Sequence, residues 1–351
     1  MLRGKTLIEL ATEIERQSAS KSDLLAQSDA LSVVAPCVNG PMLHVGADRS
    51  YGINEVAHGQ LATYTGIPKA YYDTLRTSAP TLYEENVNHW LKKHTGERRM
   101  VRTLDGNVRA LLSPGYRSLD NADLLEAVLP AAHEAGLQIL SSNVTDTRMY
   151  LQMTTSRLRG EVKVGDEVQA GLVISNSEVG AGALNVEWLI YRLVCLNGMI
   201  VGKALRKNHI GRRVTGLEDE VQAYYADSTR RLDDAAFFSK VRDTVRHMLT
   251  PEGFEAKLAE LRGSTERKIE GDPVVAVEKF QRRLGLTDGE RGGLLTHLIE
   301  GGDLSAWGVA NAVTALAHDA ESYDRSVELE RAGSTVIDLP RSEWKTLAQA
   351  A

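Results

Sequence analysis

The residues best suited to chemistry in this chain are bases gathered where acids are missing. From Trp188 to Leu217, thirty consecutive residues contain no Asp or Glu and six bases, Arg192, Lys203, Arg206, Lys207, Arg212 and Arg213, although the whole chain carries a net charge of −6. Gly202, Asn208, His209 and Gly211 lie among them. Such local separation of charge builds a positive patch that attracts phosphates even on an acidic molecule. Glycines let backbone amides approach a ligand closely, while Lys and Arg supply charge-assisted hydrogen bonds. The chemistry expected of a basic loop over 203–213 is therefore binding of phosphate or of a nucleic-acid backbone. Its competitor is a solvated loop paired with Glu218-Asp219-Glu220.

A second basic group, Arg98, Arg99, Arg102, Arg109 and Arg117, lies within and on either side of the segment TLDGNVRALL. Residues two apart share a strand face, so Arg102 and Arg109 are expected near one another across a hairpin. Tyr116 beside Arg117 adds a ring on which a base could stack. Sheets also display arginines on their wet faces; taken with the 203–213 segment, however, the group suggests one positive groove. Its expected members are Arg102, Arg109, Tyr116, Arg117, Lys203, Arg206, Lys207, His209, Arg212 and Arg213.

Other candidates compete with plain structure. Ser175-Asn176-Ser177-Glu178 sits between two apolar runs and could orient a ligand or a metal-bound water, but Asn, Ser and Gly are also what a tight turn requires. One Glu among hydroxyls does not make a Mg²⁺ site, which takes further carboxylates. Asn197-Gly198 reads as a tight turn closing a buried strand. Arg192, inside that strand, needs a partner, and Glu178 or Glu187 is the local candidate. Cys37 and Cys195 lack CxxC spacing and read as reduced, buried, small apolar residues. No HExxH pair, phosphate-binding glycine loop or nucleophile elbow occurs, so neither a metal, a cofactor nor hydrolytic chemistry is signalled. Convergence of Glu178, Glu187, Asp120 and His209 from distant positions remains a different route to a site.

The framework that holds these groups is legible in composition and periodicity. At 351 residues the chain is longer than one core usually serves. Its 42% hydrophobic and 25% charged residues exclude a fully disordered chain. Residues 1–35 read as an N-terminal helix with a linker at Ser18–Asp23. Residues 36–217 read as an α+β domain, mainly antiparallel sheet with inserted helices, and 218–351 as an all-helical C-terminal domain. Within the middle domain, Asn54 caps a helix that stops at Gly66, and a further helix places Leu82, Val87, Trp90 and Leu91 on one side. Asp105-Gly106 marks a hairpin, and a helix over Ala122–Ala135 interrupts the strands. In the last domain Thr287 and either Asp303 or Ser305 are cap positions. A charged N-terminus at helical spacing, with no run of membrane-spanning length, leads to the expectation of a cytoplasmic protein without membrane contact.

Several stretches in one order, YGINEVAHGQLATYTGIPKAYYDTL, ENVNHWL, RTLDGNVRALLSPGYRSLDN, ISNSEVGAGALNVEWLIYRLVCLNGMI and SAWGVANAVTALAHDA, resemble the phage/plasmid-like proteins of the domain-of-unknown-function family 932. The resemblance spans roughly residues 40 to 330. It implies a mobile-element setting and brings with it no activity and no catalytic residues. That setting points to DNA transactions, and with the basic features it leads to a first expectation: a protein that binds or anneals single strands in replication, recombination or plasmid entry. A homo-oligomer would concentrate one basic face per subunit. Two alternatives stand beside it, a metal-dependent nucleic-acid enzyme using Glu178 or Asn176, and an interaction protein that counteracts a host defence factor.

Overall fold

The computed structural model describes residues 2, 4–35, 40–116, 119–207 and 227–349, with backbone alone for 203, 204, 207 and 227–231. Helix α1 (Leu7–Ser20) opens with a capping box: the Thr6 side chain accepts from the Glu9 N–H and the Glu9 carboxylate from the Thr6 N–H. Beyond Lys21 the chain enters a sheet, where the sequence suggested a linker. Strands β1 (Ser22–Gln27) and β2 (Leu31–Val34) join β3 (Met42–Val45), β4 (Arg49–Ile53), β5 (Arg98–Leu104) and β6 (Asn107–Leu112) in the order β1-β5-β6-β4-β3-β2. The Ser18–Asp23 stretch therefore ends a helix and starts a strand, Ser22 to Gln27 pairing with Thr103 to Arg98.

Asp105 and Gly106 both take left-handed conformations, with φ of 52° and 74°. That pair of dihedrals gives a two-residue turn whose twist matches the strands it joins, as the Asp-Gly dipeptide indicated. Helices α2 (Glu55–Thr65), α3 (Lys69–Ser78) and α4 (Pro80–Lys93) cover one face of this sheet. They pack Leu61, Tyr72, Tyr83, Val87 and Leu91 against Val33, Leu43, Val101 and Val108. In α4 the buried stripe is Tyr83, Val87 and Leu91, spaced four apart. Leu82 and Trp90 lie on its outer side, not with the core as the spacing suggested.

The second sheet is antiparallel and runs in chain order: β7 (Gln138–Val144), β8 (Met149–Glu161), β9 (Glu167–Asn176), β10 (Leu184–Arg192) and β11 (Asn197–Lys207). Side chains alternate across each strand. Leu172 and Ile174 meet α1, α5 (Asn121–Glu134) and α6 (Asp227–Met248) through Leu10, Leu124, Val128, Phe237 and Val241. Val173, between them, belongs to a cluster with Tyr150, Leu189, Ile200, Tyr323 and Val327.

Helices α7 (Pro251–Thr265), α8 (Pro273–Leu284), α9 (Asp288–Gly301), α10 (Ala306–Ala315), α11 (Tyr323–Ile337) and α12 (Arg341–Ala348) complete the described chain. Thr287 caps α9 as the sequence indicated, and of Asp303 and Ser305 it is Ser305 that caps α10. These helices share their core with the sheet: Val168, Ala170, Ile190, Met199 and Val201 sit in one cluster with Phe254, Leu258, Phe280, Leu298, Trp307 and Val313. The change of pattern near residue 217 is thus a change of element type within a common core.

Candidate nucleic-acid interface

The two hairpin arginines face the protein interior. Arg102 is 1% exposed; its guanidinium donates to Asp23 at 2.8 Å, to Asp120 at 3.3 Å and to the Glu178 carbonyl at 2.6 Å. Arg109, 7% exposed, donates to the Glu178 carboxylate at 2.8 Å. That carboxylate also accepts from the Asn121 N–H at 2.7 Å and lies 3.6 Å from the Lys21 ammonium, which is 2.9 Å from Asp120. Three cations (Lys21, Arg102, Arg109) and three carboxylates (Asp23, Asp120, Glu178) close a neutral network, the condition for holding charges away from water. Burial would raise the Asp120 carboxyl, but Lys21 and Arg102 hold it below the usual carboxylate range.

The loop between β9 and β10 completes this junction between the sheets. Tyr116 is buried and its hydroxyl donates to the Ser177 carbonyl at 3.0 Å; burial pushes the phenol up to about 12. Gln60 of α2 donates to the Val179 carbonyl at 2.7 Å. Asn176 donates to the Leu119 carbonyl and to Asn121, and the Ser177 hydroxyl to the Thr147 carbonyl. Arg102, Arg109 and Tyr116 therefore do not form the solvent-facing wall that the sequence suggested. They tie the six-stranded sheet to the central one, because a guanidinium removed from water must find carboxylates and carbonyls. Ser177 and Glu178 serve the same junction, and Glu178 has both oxygens engaged.

The basic segment has a different local structure from the one expected. Residues 203–207 continue β11 and are not a loop; β11 bulges against Val186–Trp188, where Lys203 is opposite Glu187 and Arg206 opposite Asn185. Leu205 packs against the core, and Arg206 is exposed at the edge of the sheet, with no carboxylate partner among the described residues. Lys203 and Lys207 are placed in β11 by their backbone. Arg117, His209, Arg212 and Arg213 lie outside the described residues. The tight turn expected at Asn197-Gly198 falls just before it: Asn197 already starts β11, and Leu196, with φ of 52°, turns the chain.

Other sequence candidates find distant partners. Arg192 pairs with Asp166 at 2.5 and 3.0 Å, and Trp307 Nε1 donates to the same carboxylate at 2.8 Å, so neither Glu178 nor Glu187 is its partner. Glu187 instead accepts from Arg331 of α11 at 2.6 Å. Next to Arg331, Glu330 is fully buried and accepts from Gln152 Nε2 at 2.6 Å. Glu178 and Asp120 thus share the Lys21 network while Glu187 pairs with Arg331, and among the described residues no group of three or more His, Cys, Asp or Glu is placed to hold a metal. Cys195 is exposed rather than buried, because it falls in the β10–β11 turn, and Cys37 lies outside the described residues. Among the described residues no helix is long and apolar enough to cross a membrane.

Residues 110–335, from β6 into α11, match the family model described as Domain of unknown function (DUF932). The chain belongs to this family. The DUF932 match takes in the whole central sheet, the β9–β10 loop and β11, whereas α2, α3, α4 and most of the six-stranded sheet precede it. Neither the curated proteins nor the solved structures contain a match to the chain.

Proposed function

We propose that this protein binds single-stranded nucleic acid along the basic end of β11 and the residues just after it, as a phage- or plasmid-type protein of replication, recombination or plasmid entry. The observation that carries the reading is Arg206: an exposed guanidinium without a carboxylate partner among the described residues, on an edge strand, inside a thirty-residue run without acids. An edge strand is open on one side, so a backbone laid along it meets strand amides as well as cations. With Arg102 and Arg109 neutralised internally, the attraction falls to Arg206, Lys207, Arg212 and Arg213. The metal-dependent alternative finds less support, since Glu178 is held by Arg109, Lys21 and the Asn121 N–H.

Fluorescence anisotropy on labelled single strands at two salt concentrations tests this. Log affinity is expected to fall with log salt by about 0.7 for each phosphate contact. Changing Arg206, Lys207, Arg212 and Arg213 together to Ala is expected to remove most of the binding and flatten that slope. Absence of binding by the unaltered protein at low salt, or full binding by the quadruple variant, rejects the proposal.

A further inference from the structure

Trp90 has no place in the core of α4, whose buried face is Tyr83, Val87 and Leu91. Its side chain is 38% exposed, and the Lys93 ammonium lies 4.2 Å from the ring centroid. From Asn86 to Gly96 the sequence has no acid, while Lys92, Lys93, His89 and His94 fall within it. Lys92 and Arg98 are exposed, and neither has a carboxylate partner among the described residues. The nearest acid on the C-terminal side, Glu97, is engaged by His94, Arg99 and the Tyr64 hydroxyl. Beside it the His94 ring stacks on Tyr64 with centroids 4.4 Å apart, and the Arg99 guanidinium sits 3.8 Å from the Tyr64 centroid. The C-terminal end of α4 thus offers an exposed indole with one ammonium, that of Lys93, over its ring.

We infer that Trp90 is a stacking platform for an unpaired nucleobase, with Lys93 meeting the adjoining phosphate. The inference rests on the nucleic-acid reading above but on different residues, in a helix outside the family-matched segment. The Lys93 ammonium selects this occupant. An apolar protein surface would leave it without a counter-ion, whereas a single strand supplies a π-face and negative charge at the spacing of one nucleotide. Lys93, already over the ring, has only to swing aside to reach a phosphate.

The test compares unaltered protein, Trp90→Ala and Trp90→Phe on an oligothymidylate and on an abasic chain of equal length, read by anisotropy of a label on the strand. Because the substituted side chain lies outside the core, the variants are expected to fold. Trp90→Ala is expected to lose about tenfold in affinity for the oligothymidylate, in line with the loss of one stacked base, and nothing for the abasic chain; Trp90→Phe retains most of it. Trp307 and Trp344 are buried and Trp188 is half-buried, so quenching of indole fluorescence on binding should disappear in both variants. Binding of oligothymidylate by Trp90→Ala at the unaltered affinity, or an equal loss on the abasic chain, overturns the platform while leaving the β11 reading intact. Failure of the unaltered protein to bind either chain overturns both.

Discussion

Glu330 shows how far a single side chain can be pushed by its surroundings. Burial pushes its carboxyl up to about 7, against an ordinary value of 4.5; Gln152 donates to one oxygen and the other has no hydrogen-bond partner among the described residues. A carboxyl whose folded value exceeds its unfolded one supports the fold fully below about pH 4.5 and loses that support as pH rises through 7. Glu330→Gln removes the titration. The variant should be more stable than the parent at pH 8 by roughly 3 kcal/mol, and the gap should close on acidification. Urea unfolding of both proteins at pH 5 and pH 8 reads this directly, and a gap that does not change with pH would show that Glu330 is not the titrating group. At the junction the opposite sign holds: Glu178→Gln leaves Arg109 and Lys21 short of a charge partner, and a loss of about 3–5 kcal/mol is expected from breaking a buried pair. A variant as stable as the parent would mean that the network relaxes around the change.

At the scale of elements, the β9–β10 loop is the part that sequence and structure assign differently. Its polar residues resemble a ligand loop, yet its carbonyls at Ser177, Glu178 and Val179 are taken by Tyr116, Arg102 and Gln60. Gly180 allows that approach. Its φ is 76°, and a Cβ there would lie 2.7 Å from the Leu112 side chain. Gly180→Ala should therefore destabilise by about 1–2 kcal/mol from the left-handed backbone alone, with Leu112 moving to make room. Chemical denaturation measures it; unchanged stability would mean that the loop is not seated between the sheets as described.

For the molecule as a whole, the helices that come after β11 are structural partners of the central sheet. Val168, Ala170, Ile190 and Met199 are buried by residues of α7 to α11, so a fragment ending at residue 226 would expose that apolar surface. Such a fragment should aggregate or unfold without a cooperative transition, whereas the independent C-terminal domain suggested by the sequence pattern would leave it soluble and cooperative. Size-exclusion chromatography and thermal unfolding of the fragment separate the two outcomes. Likewise, proteases should spare Ser18–Asp23, where helix and strand hydrogen bonds protect the backbone.

Local rules were sufficient where the deciding interaction is local. Asp105-Gly106 turns a hairpin because those two residues tolerate positive φ, and Asn54, Thr287 and Ser305 cap helices because their side chains reach N–H groups three residues on. The strands of the middle of the chain and its helical end arise from periods of 2 and 3.6 that any stretch displays by itself, whereas their pairing, including the parallel β4–β6 pair, does not. The fate of charged side chains is decided otherwise. Arg192 finds Asp166 26 residues away, Arg109 finds Glu178 across 69, and Arg331 finds Glu187 across 144. No spacing announces such pairs, since they form only when packing brings two segments together and excludes water from between them. Elements, caps and the acid-free run are therefore written in the order of residues, whereas the choice of which arginines stay free to meet a ligand is made only when the sheets and helices close on one another.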